Sequence, residues 1–160
     1  MKELVKSIKE RLYKYIHLRF EVGKLNERLA RLQSEEQFPT RPEGNGGGSG
    51  QPNKDRMANA IIRRIEYQEK NAANIEAINA ELDALDDAIN GLEEPLEREV
   101  LRLRYTDGKN NRHMEWKDVA ISIYGNDDEK HIKATHRLHG SALVSIAKLI
   151  NSTETKESER

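Results

Sequence analysis

The sequence predicts an all-α protein: a long antiparallel helical hairpin, coiled-coil-like in its pattern, followed by a compact three-helix domain. Three observations predict it. Apolar residues recur at three- and four-residue steps through residues 4–32 and again through 57–89, the spacing of a helix that buries one stripe. A glycine-rich, proline-flanked interruption separates those two stretches. After Pro95, three shorter helical patterns are divided by turns rich in Gly, Asn and Asp.

Composition sets the limits. The 160 residues are 36% hydrophobic, 34% charged and 5% aromatic, with a mean hydropathy of -0.88, too polar a mix for a large globular core. It suits long helices that bury narrow faces. The absence of cysteine excludes disulfide scaffolds, cysteine zinc sites and thiol nucleophiles. No apolar run approaches the roughly 20 residues that span a bilayer, and the start of the chain lacks a secretory apolar region. The expectation is a cytoplasmic protein with no membrane partner.

The first helix is expected from about Lys2 to Gln37, with Leu4, Ile8, Tyr15, Leu18, Val22, Leu25, Leu29 and Leu32 on its seam and Leu12 one position off register. Pro39 and Pro42 end it, and the run Gly44 to Gly50 makes residues 38–53 a flexible linker. The second helix is expected from about Asp55 to Asn90, carrying Met57, Ile61, Ile65, Ala72, Ile75, Ile78, Leu82, Leu85 and Ile89. Its charge complements the first. Residues 1–37 hold 9 Lys/Arg against 6 Asp/Glu, whereas residues 54–95 hold 5 against 10. Residues 1–94 therefore read as a helical hairpin and oligomerisation module, whose surplus apolar surface calls for a second copy of the chain or for the C-terminal domain.

Residues 95–150 read as the second domain, with helices expected at Pro95–Tyr105, Met114–Tyr124 and Asp128–Ile150, the last breaking near Gly140. Residues 151–160 read as a polar, fraying tail. Gly125 suits a left-handed turn, and Ala120 is small where two helices cross closely. Val119, Ile123, Ile132, Leu138, Leu143 and Ile146 are the expected core, closed by Trp116, and Asp127 is the expected cap of the last helix.

On that helix Lys130, Lys133, Ala134 and Arg137 stand at i, i+3, i+4 and i+7, with His131 and His136 beside them. Donors flanking a small residue on one exposed face, after a helix-turn-helix pattern, are what major-groove recognition requires. These six residues are the candidate DNA-binding set. A solvated charged face is the competing reading of the same stripe.

The block Pro95-Leu96-Glu97-Arg98-Glu99-Val100-Leu101, Arg104-Tyr105, Gly108, Trp116, Val119-Ala120, Arg137-Leu138-His139 and Ala142-Leu143 resembles region four of sigma factors. In particular it is similar to the phage-encoded transcriptional regulators of the ArpU and RinA type, and long helices with a Gly/Ser-rich interruption precede the domain there as here. The resemblance implies binding to double-stranded DNA at a phage or prophage promoter, activation of late genes, and RNA polymerase as a further candidate partner. Two departures stand out: the first turn is lengthened by Lys109 to His113, and the second by Gly125 to Asp128.

Other chemistry has less to offer. His136 and His139, with His131 and His113 nearby in sequence, lack a fixed third ligand for zinc, so neither metal nor cofactor is expected. No nucleophile elbow, phosphate loop or paired-carboxylate arrangement appears, and no enzymatic activity is expected. The alternatives to a regulator are a helical adaptor or structural oligomer, and a phage DNA-packaging protein of the small-terminase kind.

Overall fold

A computed structural model describes residues 1–37 and 53–158. The described residues are all-helical, with no strand among them: α1 (Lys2–Gln37), α2 (Asn53–Asn90), α3 (Pro95–Leu101) continuing into a π-helical turn (Arg102–Thr106), α4 (Trp116–Tyr124) and α5 (Glu129–Ser158). Of the expected linker, only Asn53 lies within the described residues, and it opens α2. No described helix is long and apolar enough to cross a membrane. The chain divides into two compact units, Met1–Phe20 with Ala80–Arg160, and Glu21–Asn79.

In the Glu21–Asn79 unit the two long helices meet antiparallel. Arg64 donates to Glu36 at 2.5 Å, and Asn74 donates to Glu21 at 3.5 Å, so partners on α2 run backward as those on α1 advance. Val22, Leu32, Ala60 and Ile78 are its buried apolar residues. The expected α2 stripe holds here only in part. Met57 is 45% exposed and Ile65 41% exposed, while Ala60, outside the stripe, is buried.

The larger unit owns most of the core: Ile8, Leu12, Tyr15 and Ile16 of α1, Leu82, Leu85 and Ile89 of α2, and apolar residues of α3, α4 and α5. Leu12 is fully buried although it falls off the heptad seam, and Ile16, which the seam omits, is 1% exposed. A seam faces one partner, whereas a helix in a layered core buries a face wider than about 100°. Here residues beyond Thr106 cover that extra width, since a Cβ at Gly108 would stand 2.3 Å from Ile16 Cδ1. Arg11 forms a two-bond pair with Glu81 (2.7 and 3.0 Å), and Tyr15 donates to Asp86 at 3.0 Å. Burial, reinforced by that carboxylate, raises the Tyr15 phenol to about 12.

Several element boundaries differ from the sequence expectation, each for a local reason. Pro95 at the start of α3 needs no N–H partner and fits the first turn. The expected single helix to Tyr105 widens after Leu101, because Asp107 N–H bonds back five residues to Arg102 O at 2.9 Å. α4 begins at Trp116 rather than Met114, whose carbonyl is taken by Arg104; Glu115 is extended (ψ 150). α5 does not break at Gly140. Buried Thr135 and His139 before it, and Ala142, Leu143 and Ile146 after it, belong to one packed face. Holding that face together outweighs the roughly 1 kcal/mol cost of a helical glycine. The expected polar tail is helical through Ser158, because extending a formed helix adds one hydrogen bond per residue fixed.

Candidate nucleic-acid interface

α3, α4 and α5 pack on one another and position the candidate interface. Val119 and Ala120 of α4 are fully buried, as the close crossing with α5 requires. α4 ends on Gly125 in the left-handed region (φ 72, ψ 10), where its N–H returns to Ile121 O at 2.8 Å. A side chain at that angle would be strained, so the expected role of Gly125 holds.

The turn into α5 is built by side chains. Asn126 Oδ1 accepts the Asp128 N–H at 2.9 Å, and Asp128 Oδ1 accepts the His131 N–H at 2.9 Å. The cap of α5 is therefore Asp128, one residue after the expected Asp127. Asp128 also receives the His131 imidazole; the backbone bond first and this ring second hold its carboxyl below the usual range.

Along α5 the buried residues are Thr135, His139, Ala142, Leu143, Ile146 and Ala147. At about 100° per residue, Lys130, Lys133, Ala134 and Arg137 centre about half a turn away from that face. Lys130, Lys133 and Arg137 are exposed, and Ala134 is half-buried between them in sequence. The four residues thus share one outward stripe. His131 and His136 fall on its two flanks: His131 is half-buried against Tyr124 (5.7 Å between centroids), and exposed His136 lies against Trp116 at 4.4 Å. Lys133 pairs with Glu129 at 2.8 Å, an exposed contact worth only tenths of a kcal/mol. A shallow open depression along the stripe is lined by Asp128, Glu129, Lys130, Lys133 and Arg137, so three cations face two carboxylates.

Trp116 does not close the core. It is half-buried, with the Arg104 guanidinium 4.6 Å over its ring and the His136 and His139 rings at 4.4 and 4.8 Å. Ile123, Ile132 and Leu138, also expected in the core, are half-buried. Among the polar residues buried here is His139, 6% exposed. Its Nε2 lies 2.7 Å from Tyr105 Oη, a buried hydrogen bond. Burial, with Lys9, His136 and Arg104 adding positive charge, lowers His139 to about 4, while burial raises Tyr105 to about 12.

The sequence reading also missed the support given by α1. Arg19 donates to the carbonyls of Thr106 and, at 2.7 Å, Gly108; His17 Nδ1 lies 2.6 Å from Asn111 Oδ1; Tyr13 stacks on His113 at 4.3 Å. Tyr13, His17 and Arg19 carry no signal for this role in sequence, since their partners lie in residues 106–113, far along the chain. Among the described residues no group of three or more His, Asp or Glu side chains could hold a metal ion. No protein-family model, curated protein or solved structure matches this chain, so the roles of these residues rest on their own geometry.

Proposed function

We propose that the chain is a sequence-specific transcription regulator that binds double-stranded DNA through α4, the Gly125–Asp128 turn and α5, used as a helix-turn-helix. α5 is the recognition helix, and α1 with α2 forms the helical hairpin that supports it and joins it to a second copy. The observation that carries this reading is the outward stripe of Lys130, Lys133, Ala134 and Arg137, set opposite the buried face of α5 and presented by the left-handed turn at Gly125. A small residue between long cationic side chains allows close approach to base edges, with phosphate contacts on either side. The capped N-terminus of α5 fixes the direction in which the stripe points.

The reading is tested by selecting bound fragments from the parent genome, followed by fluorescence titration against selected and scrambled duplexes at low and high salt. Arg137→Ala is expected to cost about 1–3 kcal/mol on the selected duplex and to relax preference at one base pair. Lys130→Ala is expected to weaken all duplexes alike and to make the salt dependence shallower by about one counterion. Ala134→Glu is expected to abolish binding with the helical circular dichroism signal unchanged. If the combined Lys130, Lys133 and Arg137 alanine variant keeps wild-type affinity and preference, the stripe is a solvated face. The chain would then be read as a helical adaptor. Enrichment of a single packaging site rather than promoters would replace the regulator with a DNA-packaging role.

A further inference from the structure

We propose that α1 and residues 106–113 form a proton-operated latch, in which protonating His113 drives it out of its ring stack, frees the segment from α1 and loosens the entry into α4.

The segment depends on α1 for its placement. Four α1 residues on neighbouring turns hold it: Arg19 on the Thr106 and Gly108 carbonyls, Ile16 against Gly108, His17 on Asn111, and Tyr13 on His113. The segment has little regular structure of its own. Asn110 and Asn111 are both left-handed (φ 55 and 60), a region that Asn tolerates but that no helix ladder supports. Its one internal backbone bond outside the π-helical turn is Arg112 N–H to Lys109 O at 3.1 Å.

His113 sits at the centre of the clasp. Its ring is stacked on Tyr13 (4.3 Å, 25° between planes) and meets the edges of His17 at 5.5 Å and Tyr105 at 6.1 Å. Nε2 is buried and has no hydrogen-bond partner. The groups facing it are Tyr13 and His17 from α1, and Arg104 and Tyr105 from the π-helical turn; none is acidic. A proton on Nε2 therefore meets no acidic side chain and joins an existing guanidinium. Burial lowers the affinity of His113 for that proton, a bond to the Tyr13 backbone acts against the shift, and Arg104 and His17 lower it further.

The direction follows. A released His113 regains an ordinary affinity near 6.5, whereas the clasped ring resists charging. The clasp is complete above that value and is progressively lost as pH falls below it. Beyond His113 the rings continue through Tyr105, His139 and Trp116 to His136, the neighbour of Arg137. Any consequence for DNA rests on the proposed function; the latch itself does not.

The test is amide hydrogen exchange of the full chain at about pH 7.5 and about pH 5, expressed as protection over the intrinsic rate at each pH. His139, lowered to about 4 in the fold, weakens the whole domain over this interval, so the α5 amides of residues 142–147 lose protection in the wild type and in His113→Phe alike. The expected result is a several-fold loss of protection over residues 107–114 in the wild type. His113→Phe, which keeps a stacking ring but cannot take a charge, should hold its protection over residues 107–114 at the lower pH. Unchanged wild-type protection over residues 107–114, or a loss there in His113→Phe matching the wild type, would overturn the latch. Should His113→Phe not fold, ring titration of the wild type by NMR decides: a His113 that stays neutral while protection falls also overturns it. DNA titrations at the two pH values are a separate arm, and a latch that opens without altering affinity would count against the regulator reading only.

Discussion

Gly108→Ala is the sharpest test of how the chain is built ahead of α4. Gly108 is buried, and a Cβ there would stand 2.0 Å from the Arg112 carbonyl oxygen, 2.3 Å from Ile16 Cδ1 and 3.0 Å from the Arg112 carbonyl carbon. The isoleucine methyl can turn aside. The carbonyl cannot, because it belongs to backbone fixed by two left-handed asparagines and the Lys109–Arg112 turn. The segment must therefore shift by about 1 Å or more, since van der Waals contact requires over 3 Å. Overpacking of this kind costs about 1–3 kcal/mol. The shift also pulls the Gly108 carbonyl away from Arg19, at 2.7 Å, and a lost hydrogen bond to a charged donor adds about 1.5–3 kcal/mol. The expected total is about 2.5–6 kcal/mol, a large share of the roughly 5–15 kcal/mol that holds a domain together. Urea unfolding followed by circular dichroism measures it, with the midpoint falling and the slope unchanged. A variant within about 0.5 kcal/mol of wild type would refute the packing of Gly108 between Ile16 and Arg112, and the clasp with it.

Gly140→Ala serves as the opposite case: nothing lies within 4 Å of the added carbon and the site is exposed mid-helix, so the same unfolding assay should report a gain of about 0.5–1 kcal/mol. A loss there would mean that α5 is not continuous through Gly140. His139 predicts an acid instability. Its value of about 4 in the fold, against about 6.5 unfolded, means the unfolded chain binds more protons between those values. Stability should therefore fall as pH drops from 6.5 to 4, by about 3 kcal/mol from this residue. His139→Leu should flatten that part of the profile while costing about 1–3 kcal/mol at neutral pH, because Tyr105 loses its buried hydrogen-bond partner. An unchanged pH profile in His139→Leu would show that His139 is not the group responsible.

The parts of the fold legible in sequence are those governed by local rules. Pro95 opening α3, Gly125 closing α4 and the stripe at 130, 133, 134 and 137 all follow from positions three and four residues apart or from one backbone angle. The misreadings involve partners far along the chain. Leu12 looks out of register only to a rule that assumes one facing helix, and Ile16 is buried because Gly108 arrives against it. Trp116 passes for a core residue until Arg104 and His136 are placed on its faces.

The sequence by itself determined an all-helical chain, the turn at Gly125 and which residues of α5 point outward, because helix periodicity and glycine's left-handed freedom are properties of a few neighbouring residues. The tertiary structure decided which residues are buried where several elements meet. It lowered His139, joined it to Tyr105 across 34 positions, and set Arg19, His17 and Tyr13 of α1 on a segment some ninety residues away. Those contacts have no local signature. Each is fixed by where two distant backbones come to rest, and burial then supplies the desolvation that changes the chemistry of the groups between them.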